Sequence, residues 1–377
     1  MKLAPFLLDQ WLGQKFDADP PIEFDLGSST GPVWTLRELL ELGGDLEGLL
    51  DTKLFYAPPA GSNELREELA RMANVQREHV LVTTGGAEAL LILFHSAAEP
   101  GANVVLPNPG FPMNEAVAES LGLEIRRYTL RPEDGFQIDM DEIRKLTDRH
   151  TKFVLVNSPH NPTGAVVPES EMEALHNFCV DRGVQIVFDE VYHPIYHGPP
   201  MRSAARLPGA TVVSDFSKAF CLSGLRIGWM IEPDARRREQ YLNARSYFTV
   251  SSTVLAENLA ALATRRREAI YDRARRVAQT NLKLLDDVFS EHADLIRWIR
   301  PAGGMTAFPS LTTGMDARGF CRTMAQAGVL VVPGDCFGVP SHFRIGFAAS
   351  GERFPRAIER FAVVLETMAP EERQTTV

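Results

Sequence analysis

Short apolar runs alternate with stretches of helical apolar spacing along the chain, and the two patterns predict strands and helices respectively. The runs predict buried strands because a strand covered on both faces of a sheet is apolar along its length. They occupy residues 80–83, 102–106, 152–157, 185–189, 210–213, 329–332 and 343–348, and a more polar strand is expected over 123–130. Helical spacing predicts helices over 36–50, 139–146 and 169–182, and one long helix or two in tandem over 245–290. Residues 1–30 include the turn-forming run Gly27-Ser28-Ser29-Thr30-Gly31-Pro32, and we expect an irregular arm there.

The composition favours a soluble enzyme over a nucleic-acid or membrane protein. The chain has 377 residues and is 45% hydrophobic, which suits one large or two medium domains with a substantial core. A formal net charge of −10 argues against nucleic-acid binding, which needs a basic surface. No apolar run approaches the roughly 20 residues that cross a bilayer. The apolar patch from Leu3 to Leu8 is too short for a signal peptide, so we expect a cytoplasmic protein.

Neither disulfides nor a metal site are expected. The cysteines show no CxxC spacing and lie mostly in apolar surroundings, so reduced core thiols are expected at Cys179, Cys221, Cys321 and Cys336. His193 and His197 are four residues apart, as in some metal sites. Pro194 disrupts a helix between them, and no third ligand is evident.

Two charged residues follow the ends of neighbouring predicted strands. Asp189 ends the run at 185–189, and Lys218 comes just after the run at 210–213. One loop and one strand separate them, so both can meet at a single edge of the sheet. A lysine that loses its proton there can form a Schiff base with an aldehyde. Arg226, eight residues later, offers a phosphate a fork of hydrogen-bond donors.

A glycine turn lies between the strand at 80–83 and the helix that follows it. The sequence there is Thr84-Gly85-Gly86-Ala87. Backbone N–H groups at a helix N-terminus attract phosphate, and glycine lets a ligand approach closely. The turn lacks the GxGxxG pattern, which argues against a nicotinamide-dependent dehydrogenase.

Three further side chains are placed for chemistry by their surroundings. Phe111 is held between prolines at a strand end, where a flat apolar face can stack on a ring. Asn161 lies in a loop with two prolines, and its amide can donate to a ring oxygen. Arg344 stands in an apolar strand, where a charge is costly unless it has a partner.

These segments resemble the class I/II aminotransferase family of fold-type I pyridoxal phosphate enzymes. The resemblance lies in Ser217-Lys218-Ala219-Phe220 with Gly224-Leu225-Arg226-Ile227-Gly228-Trp229, and in His160-Asn161-Pro162-Thr163-Gly164. The motifs fall in family order from Tyr56 to Arg344. The resemblance implies an α/β fold like that of aspartate aminotransferase: a three-layer α/β/α large domain with a mostly parallel sheet, plus a smaller α+β domain.

The resemblance also implies domain limits and an assembly. An N-terminal arm at 1–35 would belong in part to the small domain. The large cofactor-binding domain would span 36–250, and the small C-terminal domain with its interdomain helix would span 251–377. The protein would be a homodimer with a shared active site, acting on an amino acid and a keto acid.

The resemblance assigns a role to each candidate residue. Lys218 would form the Schiff base with pyridoxal 5'-phosphate, Asp189 would pair with the pyridine nitrogen, and Arg344 would bind the substrate carboxylate. Tyr192 is the third expected catalytic residue, beside Lys218 and Asp189, and would hydrogen-bond the ring oxygen. The other expected cofactor contacts are Gly86, Ala87, Phe111, Asn161, Ser217, Arg226 and, from the neighbouring subunit, Tyr56. Candidates to line the substrate side-chain pocket are Trp34, Met305 and Phe308, and Asn161 is a further substrate contact.

One position departs from the family pattern. The family has a serine or threonine phosphate ligand three residues before the lysine, where this chain has Asp215. Either Ser214 or Ser217 contributes instead, or Asp215 turns away from the phosphate.

Transamination between an L-amino acid and a 2-keto acid is the favoured activity. The alternative is a pyridoxal phosphate-dependent lyase, replacement or cyclising enzyme, because residues 26–31 and the Phe-Pro-X-Asn at 111–114 resemble the capreomycidine synthase branch.

Each candidate residue also has a purely structural interpretation: a solvated lysine, a packed loop tyrosine, a core phenylalanine, a capping asparagine or acid, or a salt bridge at Arg344.

Overall fold

The computed structural model describes residues 3–312 and 316–367. Its α-helices are α1 (Leu7–Asp17), α2 (Leu36–Glu41), α3 (Leu46–Leu50), α4 (Asn63–Ala73), α5 (Gly85–Ala97), α6 (Pro112–Ser120), α7 (Met140–Leu146), α8 (Glu169–Asp181), α9 (Ala235–Phe248), α10 (Val254–Arg265), α11 (Arg267–Glu291), α12 (Ala317–Gln326) and α13 (Phe354–Thr367). Its strands are β1 (Phe24–Asp25), β2 (Val80–Thr83), β3 (Asn103–Asn108), β4 (Glu124–Thr129), β5 (Thr151–Asn157), β6 (Gln185–Asp189), β7 (Thr211–Asp215), β8 (Gly228–Ile231), β9 (Ile296–Arg297), β10 (Thr306–Ala307), β11 (Ser310–Leu311), β12 (Val329–Leu330), β13 (Val332–Pro333) and β14 (Phe343–Gly346).

The large sheet contains, within the described residues, seven strands in the order β2-β8-β7-β6-β5-β3-β4. Strand β8 runs antiparallel to β2 and β7, and the other neighbours are parallel. The carboxyl ends of the parallel strands therefore meet at one edge of the sheet. At that edge Asn157 pairs in register with Asp189, and Gly228 lies between Thr83 and Asp215.

Both faces of this sheet are covered, as its apolar strands predict. Successive residues of a strand point to opposite faces. Thus Phe153 and Leu155 join one core with the apolar residues of α5, while Val154 and Val156 join the larger core on the other face.

A smaller unit is built from both ends of the chain. Strands β10, β14 and β13 form an antiparallel sheet, and β1 pairs with β12 in parallel. Helix α13 packs against α11 and α12. The β1–β12 pair brings the N-terminal segment beside the strand that carries Arg344.

The structure corrects the prediction of an irregular arm over residues 1–30. Helix α1 forms there without a capping side chain. It is stabilised by packing instead, because Leu8 and Trp11 are buried and the Trp11 Nε1 donates to the Val331 carbonyl at 2.7 Å. Tertiary contacts of this kind provide most of the stability of short helices.

The predicted helix over 36–50 is two helices. Thr35 and Glu38 form a capping box at the start of α2. Gly43, with a φ of +107°, ends this segment, and Asp45 caps α3. The predicted long or tandem helix over 245–290 contains the end of α9, a break at 249–253, and then α10 and α11 in tandem.

Candidate active site

A cavity of about 640 Å³ lies where the strands of the large sheet end. Its wall combines residues from the strand ends with α1, the N-terminus of α5 and β14. The charged residues in this wall are Asp9, Asp189, Asp215, Lys218, Arg226 and Arg344. Residues far apart in the sequence therefore meet at the edge predicted for Asp189 and Lys218.

Lys218 presents a free amine to the cavity. It follows β7 by three residues, and its Nζ donates to the Ser29 Oγ at 2.9 Å. Burial of the amine lowers the pKa of Lys218, although the nearby Asp215 carboxylate acts in the opposite direction. A lysine with a lowered pKa is more often neutral, which is the form that attacks an aldehyde or removes a proton.

Asp189 is a buried carboxylate, 5% exposed, at the end of β6. Its Oδ1 accepts from the backbone N–H of Val191 at 3.2 Å. Burial raises the pKa of Asp189 to about 7, and the neighbouring Asp215 charge adds to the rise, while the Lys218 charge opposes it. A buried carboxylate of this kind would be stabilised by a proton-bearing ring nitrogen placed against it.

Helix α5 offers a cradle for an anion. Thr84 gives no side-chain cap to the first N–H groups of the helix, and Gly85 has a φ of +79°. A Cβ on Gly85 would lie 2.7 Å from an Arg226 guanidinium nitrogen, so only glycine permits this approach. Gly86, Ala87, Ser217 and Arg226 all face the cavity. Unpaired N–H groups, a hydroxyl and a guanidinium are suitable donors for a phosphate.

Asp215 does not turn away from this cradle. Its Oδ1 accepts from the Ser217 backbone N–H at 2.8 Å, and a Cβ on Gly86 would lie 3.3 Å from its Oδ2. The Ser214 hydroxyl donates to the Glu190 carbonyl at 3.2 Å, and Ser214 is absent from the cavity wall. Of the two serines, Ser217 is the one whose side chain faces the cradle.

Arg344 is a buried guanidinium, 1% exposed, with neutral partners. One terminal nitrogen donates to Asn161 Oδ1 at 3.0 Å and the other to the Gly27 carbonyl at 2.7 Å. Its Nε has no hydrogen-bond partner among the described residues. Burial lowers the pKa of Arg344. A carboxylate arriving from the cavity would supply the missing counter-charge and satisfy the arginine.

Tyr192 and Phe111 complete the inner wall. The Tyr192 hydroxyl donates to the Ser29 carbonyl at 2.8 Å, and burial raises the pKa of Tyr192 to about 12. Phe111 precedes α6 and meets Phe6 edge-to-face, with 6.0 Å between the ring centres. Sequence reasoning missed Ser29 and Phe6, since both were assigned to an irregular arm.

Four predicted residues lie outside this wall. Trp34 packs under the Arg273 guanidinium, 4.4 Å from the ring centre, and its role in lining the pocket stays a prediction. Met305 and Phe308 are buried in the core, and their role in the pocket likewise stays a prediction. Tyr56 is 74% exposed on a loop, so its role toward a neighbouring subunit stays a prediction.

Both residues of the histidine pair have hydrogen-bond partners. His193 bonds the Tyr196 hydroxyl at 2.8 Å and His197 bonds the Gly304 carbonyl at 2.9 Å. Across residues 3–312 and 316–367, no cluster of three or more potential metal ligands occurs. In the same part of the chain, no helix has the length and apolar character needed to span a membrane.

The cavity residues fit pyridoxal 5'-phosphate. A buried lysine amine can take the aldehyde, the α5 cradle can take the phosphate, and the buried Asp189 can take the protonated ring nitrogen. Asp215 is the one group in the cradle that does not favour an anion. Fold and site together define the class of fold-type I pyridoxal phosphate enzymes.

The chain belongs to the class I and II aminotransferase family, whose model matches residues 25–361. It is 31% identical over 376 residues to capreomycidine synthase from Streptomyces vinaceus, covering 98% of this chain and 96% of that protein. Both the family resemblance and the expected dependence of the family on pyridoxal phosphate are confirmed.

Solved structures confirm the predicted fold class. A PLP-dependent aminotransferase from Streptococcus suis superposes with a TM-score of 0.92 at 28% identity, covering 99% of this chain and all of the other. A double mutant of aspartate aminotransferase from Thermus thermophilus superposes with a TM-score of 0.86 at 28% identity, with 97% of each chain covered. The fold is therefore that of aspartate aminotransferase.

Proposed function

We propose that this protein is an aminotransferase that moves an amino group between an L-amino acid and a 2-keto acid. The observation that carries the proposal is the presence of Lys218, Asp189 and Arg344 in the wall of one cavity. These groups supply a free amine, a buried acid and a guanidinium that lacks a counter-charge. The reaction needs all three.

The cofactor, when bound, supplies an aldehyde that can hold the amino group and a ring that can accept an electron pair. Lys218 then acts as the base: its amine removes the proton from the substrate Cα and can return it to a neighbouring carbon. The lowered pKa of Lys218 favours the neutral amine for this task. Asp189 holds the proton on the ring nitrogen.

Arg344 would orient the substrate. Its guanidinium would bind the α-carboxylate, and Asn161 would hold the guanidinium in place through the bond at 3.0 Å. A fixed carboxylate leaves the Cα–H bond directed at Lys218, and such orientation contributes substantially to rate.

We also propose a homodimer with a shared active site. Leu54, Phe55 and Tyr56 are 83%, 78% and 74% exposed. Large apolar side chains in such a cluster favour burial against a partner. A second copy could cover them and bring Tyr56 toward the neighbouring cradle.

Removal of the lysine tests the proposal. Lys218→Ala is expected to abolish transamination and the visible absorbance of the bound cofactor, because no other amine lines the cavity among the described residues. The control is Lys152→Ala, which loses only the ion pair with Glu99 on the surface. Turnover by Lys218→Ala at the wild-type rate would refute the proposal.

The second candidate is a lyase or cyclising enzyme on an amino acid. It is favoured by the likeness to capreomycidine synthase, which extends over 98% of this chain. Screening L-amino acids with and without a 2-keto acid acceptor separates the two. Transamination requires the acceptor for sustained turnover, whereas elimination or cyclisation continues without it.

A further inference from the structure

The loop at residues 25–31 is fixed in place beside the site. Asp25 Oδ1 accepts from the backbone N–H groups of Gly27 and Ser28 at 2.9 and 3.0 Å. Gly346 donates its N–H to the Leu26 carbonyl at 2.7 Å. The Ser28 carbonyl lies so near Gly346 that a Cβ there would come within 1.7 Å. The loop is therefore held against β14, two residues from Arg344.

This loop presents Ser29 to two candidate catalytic residues. The Ser29 Oγ accepts from Lys218 Nζ at 2.9 Å, and the Ser29 carbonyl accepts from the Tyr192 hydroxyl at 2.8 Å. Within the described residues, Ser29 is the side-chain hydrogen-bond partner of the Lys218 amine. The fixed position of the loop thus determines where the amine of the flexible Lys218 side chain lies.

The contact suits a lysine that changes its protonation state. A hydroxyl can accept a hydrogen bond from an ammonium and can donate one to the lone pair of a neutral amine. Lys218 has a free amine whenever it carries a proton to or from a substrate. The charged groups that face it are Asp189, Asp215, Arg226 and Arg344.

We propose that Ser29 is a positioning residue that holds the free amine of Lys218 in place for proton transfer. The role in catalysis depends on the proposed function, whereas the contact itself does not. Ser29 would act through Lys218.

The first test measures Lys218 in the protein without cofactor. A brief pulse of acetic anhydride at a series of pH values is followed by mass spectrometry of the peptide that contains Lys218. In Ser29→Ala both protonation states lose a hydrogen bond, but the charge-assisted bond to the ammonium is the stronger, so the midpoint of labelling should move lower, by up to about one pH unit. Ser29→Thr keeps the hydroxyl and should restore the midpoint. Ser28→Ala is the matched control, since that hydroxyl contacts Thr30 instead.

The second test uses the L-amino acid that turns over fastest in a screen, with and without deuterium at Cα. Ser29→Ala should lower kcat about tenfold, leave KM unchanged and enlarge the isotope effect. Ser29→Thr should recover most of the rate.

The outcomes separate this inference from the proposed function. Identical labelling profiles for wild type and Ser29→Ala would overturn the inference, even if the wild type is an active aminotransferase. A shifted profile in a protein that transaminates no amino acid would reject the proposed function and support the contact.

Discussion

Burial makes the ionised form of Asp189 unfavourable in the protein without cofactor. Its pKa is raised to about 7, above the ordinary value of 3.8, because the carboxyl is buried. The folded state therefore favours the protonated form. Relative to the ionised form, the protonated carboxyl contributes stability that is fully present below about pH 4 and is lost as the pH rises through about 7.

Asp189→Asn should therefore stabilise the cofactor-free protein in a pH-dependent way. Between about pH 5.5 and about pH 8.5, the free energy of unfolding of the variant relative to wild type should rise by about 2 kcal/mol. Urea unfolding at the two values measures the gain. Asp51→Asn, on the exposed end of α3, controls for the loss of one charge. A gain that is equal at both pH values would contradict the explanation.

Arg344 should be sensitive even to a conservative change. Arg344→Lys keeps the charge but loses the fork that bonds Asn161, Gly27 and an incoming carboxylate. We expect KM for the amino acid to rise roughly 10- to 100-fold. Steady-state kinetics measure the rise. Arg356→Lys, whose side chain is 70% exposed, should behave as wild type, and an unchanged KM in Arg344→Lys would exclude the carboxylate role.

The sequence predicted the charged residues of the site better than their supporting contacts. Asp189 and Lys218 end neighbouring strands, so the parallel topology alone brings them together. Ser29 reaches Lys218 across 189 positions of sequence, and no local pattern carries that information. The contact of Trp34 with Arg273 has no local signal either, because Arg273 lies in a distant helix.

At the scale of elements, the contact between β8 and α5 positions the cradle. Gly228 begins β8 between Thr83 and Asp215, against the first turn of α5. A Cβ on Gly228 would lie 2.4 Å from the Gly85 carbonyl carbon and 2.6 Å from the Gly86 nitrogen. Both atoms are backbone, so the start of the helix would have to move.

Gly228→Ala should therefore weaken cofactor binding and cost about 2 kcal/mol of stability. Titration of the cofactor-free protein with pyridoxal 5'-phosphate measures the first effect, and urea unfolding measures the second. Gly198→Ala is the control, because a Cβ on Gly198 would have no atom of the described residues within 4 Å. Wild-type affinity in Gly228→Ala would show that the cradle tolerates displacement.

Element prediction succeeded where the signal was local. Most strands of the large sheet are short apolar runs, whereas β4 is largely polar and has only Tyr128 buried. Helix α1 was missed because it has no capping side chain, and its buried residues Leu8 and Trp11 gain their stability from the distant Val331 region.

At the scale of the whole molecule, the exposed apolar cluster at residues 54–56 has a measurable consequence. Leu54→Glu should yield a monomer with reduced affinity for pyridoxal 5'-phosphate, because the proposed dimer brings Tyr56 to the neighbouring site. Analytical ultracentrifugation and cofactor titration measure the two effects. Val180→Glu, on the exposed face of α8, is the control. Dimers of unaltered stability in Leu54→Glu would place the interface elsewhere.

The position of the N-terminal segment bears on how the protein is prepared. Leu3 and Ala4 line the cavity together with Phe6. A purification tag fused ahead of them would lie close to this wall, and its effect on turnover could be mistaken for inhibition. No described residue of α13 lines the cavity, so kinetic work is better done with a tag after that helix.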